Sequence, residues 1–396
     1  MSSENGKYAV GDELDLTIER IVPRGLGIGF GEKLTVFVPL AVAGDKLRVR
    51  ITSIKKRIAF ADIVAVVEPS PDRIAPPCPY FGTCGGCDFQ QMNYAAQLAA
   101  KAAIIRDCLH RIGKIEFDSD IAIAHGDREF GYRSRARWHV DRIENSIGYY
   151  KRDSHDVVDV ENCAVLTPAL DARMQSLRTS IADGWNDEFE IDAASGDGGA
   201  TSIASRDLAE STGELTYTND GIEYAFSARS FFQGNQSMVG ELVRLATDGL
   251  SGETALDLYC GVGLFALPLA RSFTNVIGVE EDGEAVKFAK QNKARASMSN
   301  VEFRRSGVRD FLFEHELGKT DLVLLDPPRS GAEPGVVGKI AKMRPTTIIY
   351  VSCEPSILAR DLRELLDAGY KIDSLTGVDL FPQTHHVETV VKLRKI

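Results

Sequence analysis

Over residues 1–69 polar and apolar positions alternate in short bursts: DLTIERIV (15–22), GLGIGF (25–30), LTVFVPL (34–40), KLRVRITSI (46–54) and RIAFADIVAVV (57–67). A period of two sends successive side chains to opposite faces, so each burst predicts a half-buried strand and the glycines between them predict turns. Five such strands at this spacing predict a small closed or nearly closed β-barrel. The pattern changes at 94–112, YAAQLAAKAAIIRDCLHRI, where apolar positions recur at helical spacing and predict an amphipathic helix. From residue 230 onward it changes again. Short apolar runs at 255–259, 276–279, 301–304, 322–325 and 347–352 predict buried strands, and they alternate with helical stretches at 237–247, 283–294 and 356–368. Strand–helix alternation of this kind predicts a doubly wound, mainly parallel sheet over residues 230–396.

Between the two lies a segment of mixed pattern. Residues 69–79, PSPDRIAPPCP, carry five prolines and read as a linker. GYRSRARW (131–138) alternates strictly, so a strand there would set Arg133, Arg135 and Arg137 on one face as a candidate phosphate track, or as an ordinary solvated face. IGYYKRDSHDVVDV (147–160) predicts further hairpin strands, which makes residues 70–229 a central α+β domain; the helix 94–112 could pack with the C-terminal domain instead. The expected organisation is therefore three domains: 1–69, 70–229 and 230–396.

With 46 basic against 57 acidic residues the net charge is −11, so the chain as a whole is not drawn to nucleic acid and any such contact needs a local patch. Lys46, Arg48, Arg50, Lys55, Lys56 and Arg57 form one acid-free run, readable as a solvated strand face or as an RNA-binding one. No apolar run approaches the length of a membrane span and the N-terminus lacks the apolar core of a signal peptide, so a soluble, cytoplasmic protein with no membrane contact is expected. In that compartment the seven cysteines are unlikely to form disulfides, which leaves metal binding, catalysis or burial.

The glycine turn in TALDLYCGVGLFALPLA (254–270) leads from a strand into an apolar segment, and Gly261 and Gly263 allow backbone amides to approach a ligand closely. G-x-G-x-x-A formally satisfies a dinucleotide pattern. Against that, Asp257 precedes the glycines by four residues, where it would repel a pyrophosphate and favour a cationic ligand, and Glu280 ends the next strand, placed to accept from ribose hydroxyls. CPYFGTCGGCDFQQM sets Cys78, Cys84 and Cys87 in a glycine-rich loop, the spacing of an iron–sulfur site with a remote fourth ligand more than of two zinc knuckles. The fourth thiol would be Cys108, Cys163, Cys260 or Cys353, of which Cys163, in a loop, is the better candidate. Two further strand ends deliver Asp326-Pro327-Pro328-Arg329 and Cys353-Glu354-Pro355 to the crevice of the glycine turn; a strand-end cysteine is either core or nucleophile. His385 and His386 sit in a loop where histidines are often merely hydrogen-bonded.

In their order, FFQGN, DLYCGVGLF, LLDPPR, VSCEP and FPQTHHVETV resemble the RNA 5-methyluridine methyltransferases, and the barrel, with GLGIGF, VFVP and AVAGDKLRVRI, resembles a TRAM domain. With the C-x5-C-x2-C loop, the chain is similar to the iron–sulfur branch of that family, which modifies 23S ribosomal RNA. The resemblance implies a doubly wound S-adenosylmethionine-dependent methyltransferase domain whose donor lies among Gln233, Tyr259, Glu280 and Asp326 beside Gly261 and Gly263. It implies a [4Fe-4S] cluster on Cys78, Cys84, Cys87 and Cys163, Cys353 as the thiolate that adds to uracil C6, and Glu388 as the base that removes the C5 proton, a carboxylate expected to be ionised at pH 7. Leu264 and Gly307 depart from the family's pattern near the adenine. The expected partner is RNA, chiefly 23S ribosomal RNA, with the tRNA T-loop as the alternative, and the expected state is a monomer without an obligate protein partner. Two other classes fit parts of the pattern: an iron–sulfur, NAD-dependent oxidoreductase and a non-catalytic RNA-binding scaffold.

Overall fold

A computed structural model describes residues 8–141, 143–181, 189–206 and 213–396. At the N-terminus six strands form one sheet: β1 (Glu13–Thr17), β2 (Arg20–Val22), β3 (Leu26–Gly31), β4 (Leu34–Val38), β5 (Lys46–Lys55) and β6 (Ile58–Glu68), in the order β1-β5-β6-β4-β3-β2. The single burst at 15–22 is thus two strands, with Ile18–Glu19 as the corner between them. Because the sheet's two edge strands are successive pieces of chain, the sheet curls over its own inner face. Leu16, Val36, Val38, Leu47, Val49 and Ile51 fill that face. A Cβ on Gly29 would come within 2.6 Å of the Leu16 side chain, so the glycine is what lets β3 cross so close to the start of the chain.

The central stretch supplies α1 (Tyr94–Cys108), β7 (Ile123–Ala124), β8 (Arg135–Asp141), β9 (Ser146–Tyr150), β10 (Val157–Asp159), α2 (Pro168–Ile181), β11 (Phe189–Ser195), β12 (Thr201–Ala204), β13 (Leu215–Asn219) and β14 (Ile222–Phe226). Five of these make an antiparallel sheet, β10-β9-β8-β11-β12, and Trp138, Ile147 and Ile191 on it pack against Leu170 and Met174 of α2. The predicted strand at 131–138 is shorter than its alternation suggests. It begins only at Arg135, because Arg133 is instead bridged to Asn235 and Leu166 on either side.

The C-terminal region contributes α3 (Val239–Thr247), β15 (Gly252–Leu258), α4 (Ala266–Leu269), β16 (Phe273–Glu280), α5 (Gly283–Arg295), β17 (Val301–Arg305), α6 (Val308–Glu314), β18 (Leu322–Leu325), α7 (Val336–Met343), β19 (Thr347–Ser352), α8 (Pro355–Asp367), β20 (Tyr370–Val378) and β21 (Glu388–Lys395). Its eight-stranded sheet runs β17-β16-β15-β18-β19-β21-β20-β7, parallel from β17 to β19 and antiparallel where β21 inserts between β19 and β20. One face packs on α3, α5 and the β13–β14 hairpin; the other packs on α1, α6, α7 and α8. β7, from the central stretch, pairs with β20 as the sheet's edge. The five strands from 255 to 352 stand where the sequence predicts them, whereas β20 and β21 have no counterpart in the periodicity reading. β20 carries a bulge between Ile372 and Ser374 that breaks its alternation. The apolar segment after the glycine turn forms a helix of one turn, Ala266–Leu269, in which Leu269 N and Ala270 N still donate to Phe265 O and Ala266 O past Pro268. Among the described residues no helix is long and apolar enough to cross a membrane.

Candidate active site

The carboxyl ends of β15, β16, β18 and β19 open on one crevice. β15 ends in Tyr259, which takes a left-handed backbone (φ 64°), and Gly261 (φ 52°) and Gly263 (φ 91°) turn the chain back. A Cβ on Gly261 would meet only open space, so the room beside it is available to a ligand; one on Gly263 would meet the Phe303 ring at 2.9 Å. Glu280 braces the turn from the next strand: its Oε2 accepts from Gly261 N at 3.0 Å and its Oε1 from Asp282 N at 2.8 Å. Gln233, Tyr259, Gly261, Leu264 and Asp326 line a pocket here, together with the exposed Phe231 and the buried Phe232. The Tyr259 hydroxyl donates to the Glu333 carboxylate. Gly263 lies behind the pocket, and Gly307 precedes α6. Asp257 does not face the ligand space as its position suggested. It is fully buried, and burial, reinforced by Asp326 and Glu280, pushes its carboxyl well above the ordinary range, which favours the neutral acid.

β19 and β21 are antiparallel with Ser352 opposite Thr389, and β18 pairs with β19 with Leu325 opposite Tyr350. This register carries Asp326, Cys353 and Glu388 out of three adjacent strands side by side. The half-buried Cys353 thiol is pushed up to about 12 by burial, then by Glu388 and Asp326, against the opposing pull of Arg329. Glu388 is only 4% exposed, its Oε1 has no hydrogen-bond partner, and burial followed by Asp326 raises its carboxyl well above the usual range. Burial raises Asp326 to about 7. Glu388 is thus less readily ionised than an ordinary carboxylate: desolvation and a neighbouring acid favour its protonated form. His386 is pulled down to about 3, by burial first and then by His385 and Arg329, and so is neutral.

The loop leading into Glu388 is fixed from two sides. On one side, Asp88 N and Phe89 N donate to Gln383 O at 3.1 and 3.0 Å, and Asp88 accepts from His385 N at 2.7 Å and bonds its Nδ1. On the other, α1 lines up a polar stripe inside its buried face. Gln97 accepts from Gln383 N at 2.9 Å, and the fully buried Lys101 donates to Asp379 at 2.5 Å and to Phe381 O at 3.0 Å. Sequence reasoning brought Arg329 to the crevice without a role and missed Asp88 and this stripe. The readable signal was Gln97 and Lys101 recurring at the spacing of the helix's buried positions.

Cys78, Cys84, Cys87 and Cys163 line one cavity together with Tyr80, Arg133 and Tyr149. Burial pushes the thiols of Cys84 and Cys163 up, and that of Cys87 to about 12. Of the other cysteines, Cys108 and Cys260 are buried in the core and Cys353 stands in the crevice. Among the described residues no group of three or more His, Cys, Asp or Glu side chains is gathered tightly enough to hold a single metal ion. The Cys163 segment reaches the pocket through the backbone: Arg133 N donates to Val165 O at 2.8 Å and Ser134 N to Gly234 O at 2.8 Å.

The arginine track does not form. Arg133 joins the cysteine cavity, Arg135 donates to Ser227 O and Ala228 O at 3.1 and 2.9 Å, and Arg137 pairs with Asp192 at 2.8 Å. Half of the basic run on β5 is likewise engaged: Lys46 pairs with Glu68, Arg48 with Asp15 and Arg50 with Glu13.

A doubly wound sheet with a glycine turn beside its strand-end acids is the architecture of an S-adenosylmethionine-dependent methyltransferase. Residues 187–396 match the tRNA (uracil-5-)-methyltransferase family and residues 7–64 match the TRAM domain. The chain belongs to this family and is accordingly an S-adenosylmethionine-dependent RNA (uracil-C5)-methyltransferase. It is 34% identical over 427 residues to the 23S rRNA (uracil(1939)-C(5))-methyltransferase RlmD of Shewanella amazonensis, covering 97% of this chain and 96% of that one. It is 32% identical over 429 residues to RlmD of Shewanella sediminis, with 98% and 97% covered. The crystal structure of the Pyrococcus abyssi tRNA (uracil-54, C5)-methyltransferase with S-adenosyl-L-homocysteine superimposes with a TM-score of 0.74 at 26% identity, over 96% of this chain and 100% of that one.

Proposed function

We propose that the chain methylates C5 of a uridine in 23S ribosomal RNA through a covalent adduct on Cys353, with Glu388 as the base. The observation that carries this reading is the register placing Cys353 and Glu388 together at the rim of the Gln233–Tyr259–Asp326 pocket. Uracil C5 is a weak nucleophile. Cys353 Sγ bonds to C6, the C5–C6 π electrons move into an enolate, and C5 becomes reactive. The donor bound in the pocket supplies a sulfonium methyl, which C5 accepts. Glu388 then takes the C5 proton, the double bond re-forms and the Cys353 thiolate leaves; S-adenosylhomocysteine departs and Glu388 passes its proton to solvent, which regenerates the enzyme. Gln233, Tyr259, Gly261, Gly263, Glu280 and Asp326 hold the donor, with Glu280 also bracing the turn. Arg329 faces both reacting side chains and favours their anionic forms. The target base is unstacked to reach Cys353, at a cost of roughly a few kcal/mol, while residues 1–69 and 70–229 hold the RNA and 230–396 carry the chemistry.

Glu388→Gln tests the order of steps: the methyl group can arrive but the C5 proton cannot leave, so an RNA–protein adduct that survives denaturing electrophoresis should accumulate. Cys353→Ala should give neither adduct nor product. Turnover that survives both substitutions would exclude this mechanism, and absence of turnover by the wild-type protein on any RNA would favour the scaffold reading.

Cys78, Cys84, Cys87 and Cys163 are proposed to hold a [4Fe-4S] cluster. Four thiols that line one cavity, three of them from one glycine-rich loop, supply the donor set of such a cluster. Methyl transfer consumes no electron, so the cluster's part is to hold the surrounding loops. Protein purified without air should be brown with about four irons, and Cys163→Ser should lose the colour; colourless protein with stoichiometric zinc would refute the assignment.

The 23S assignment follows the RlmD relatives, and the superposition on a tRNA enzyme supports the second reading, a T-loop uridine. Mass-spectrometric mapping of 5-methyluridine in both RNAs, from cells with and without the gene, separates them.

A further inference from the structure

The outer face of the N-terminal sheet carries apolar side chains that no described part of the chain covers. Phe30 is 49% exposed, Ile58 46% and Phe60 44%. The strand register aligns Phe30 and Ile58 through Thr35 in one row across β3, β4 and β6, and sets Phe37 beside Phe60 in the next, their rings stacked at 5.5 Å. A contiguous apolar patch of this kind on a folded surface marks an interaction site. The β5–β6 hairpin adds Lys55, opposite Ile58, and then Lys56 and Arg57, all exposed. Unlike the three cations further along β5, these have no acidic partner among the described residues. The face also has a direction. β3 starts from Gly25, where an added Cβ would lie 2.9 Å from His385 Cβ, and runs to Phe30, so it leads away from the catalytic loop for roughly 17 Å at an ordinary strand rise.

We propose that this face holds an unpaired stretch of the substrate RNA flanking the target uridine, its bases stacked on Phe30 and Phe60 and its phosphates against Lys55, Lys56 and Arg57. The proposal rests on the reading of RNA as substrate and adds where, and in what form, that RNA is gripped. Aromatic rings accept the flat face of any base, and cations at their edge read only the backbone, a combination that suits a single strand and not a duplex, whose base faces are already stacked on each other.

The test measures anisotropy of a short labelled oligouridylate, and of a duplex of equal length, with the full chain. The single strand should bind more tightly, and Phe30→Ala with Phe60→Ala should weaken it at least about fivefold, while Phe60→Trp restores binding. Exchanging Lys55, Lys56 and Arg57 for glutamate should lower the slope of log affinity against log salt by about two. S-adenosylhomocysteine affinity and the unfolding midpoint should stay at wild-type values in every variant, which separates this result from misfolding or a damaged donor site. Equal affinity for duplex and single strand, wild-type affinity in the double alanine variant, or a wild-type dimer that this variant dissolves would each overturn the proposal. Because binding is read without methylation, failure of the catalytic reading leaves this result interpretable, and the reverse holds too.

Discussion

At the scale of single residues, the crevice disfavours the charged forms of its proposed working groups. In the proposed reaction Cys353 and Glu388 both act after losing a proton, and the surroundings of both favour keeping it. The sign follows directly: with both pKa values raised, Cys353 to about 12, and both groups needed deprotonated, kcat/KM should keep climbing as pH rises through neutral into the alkaline range. Arg329→Gln removes the one cation that opposes these shifts, so its profile should move to higher pH and its rate at neutral pH should fall; a profile unchanged by that substitution would remove Arg329 from the site. Asp326 offers a second check. Its carboxyl, raised from the ordinary 3.8 to about 7, is neutral below that range and anionic above it. Affinity for the cationic donor should therefore strengthen as pH rises through about 7, and affinity for S-adenosylhomocysteine, which lacks the sulfonium charge, should change much less; calorimetry at two pH values reads the difference.

At the scale of elements, the loop before Glu388 is held by the cysteine loop and by α1. Asp88 follows Cys87 and binds His385. Asp88→Asn should leave donor affinity and iron content intact while lowering kcat/KM for RNA about tenfold, the size expected when a reacting group is slightly misplaced. Steady-state kinetics beside donor calorimetry would show it. Lys101 and Asp379 are both fully buried. Removing one partner strands the other's charge, so Lys101→Met should cost ~3–5 kcal/mol in urea unfolding, and pairing it with Asp379→Leu should recover much of that loss. Additive losses would mean that the two side chains are not coupled.

Across the whole molecule, the crevice lies where the three parts of the chain meet. Gly25 of the N-terminal sheet backs His385, the cysteine loop binds Gln383, and the Cys163 segment reaches Gly234 through Arg133 and Ser134. If the four cysteines hold the proposed [4Fe-4S] cluster, its loss should thus loosen RNA binding before it unfolds the C-terminal sheet. Hydrogen exchange on protein with and without iron should show protection lost first over residues 381–388; uniform loss over the sheet would contradict this order.

The sequence by itself determined the elements whose causes are local. Short apolar runs between turn residues must become buried strands, paired glycines must turn the chain, and Gln97 and Lys101 must fall on the same helix face as the apolar residues around them. What the tertiary structure decided depends on distant partners. Alternation places Arg133, Arg135 and Arg137 on one side of a strand, yet a cysteine cavity, two carbonyls and Asp192 each claim one of them. Charge alone made Lys46–Arg57 a single basic run, and only strand pairing shows that Glu68, Asp15 and Glu13 engage half of it and leave Lys55–Arg57 free of acids. Glu388 reads as an ordinary carboxylate in one dimension. Its burial beside Asp326 and Cys353 follows from β21 inserting antiparallel between β19 and β20, and desolvation and neighbouring charge, the two forces that set its proton affinity, exist only once that strand is in place.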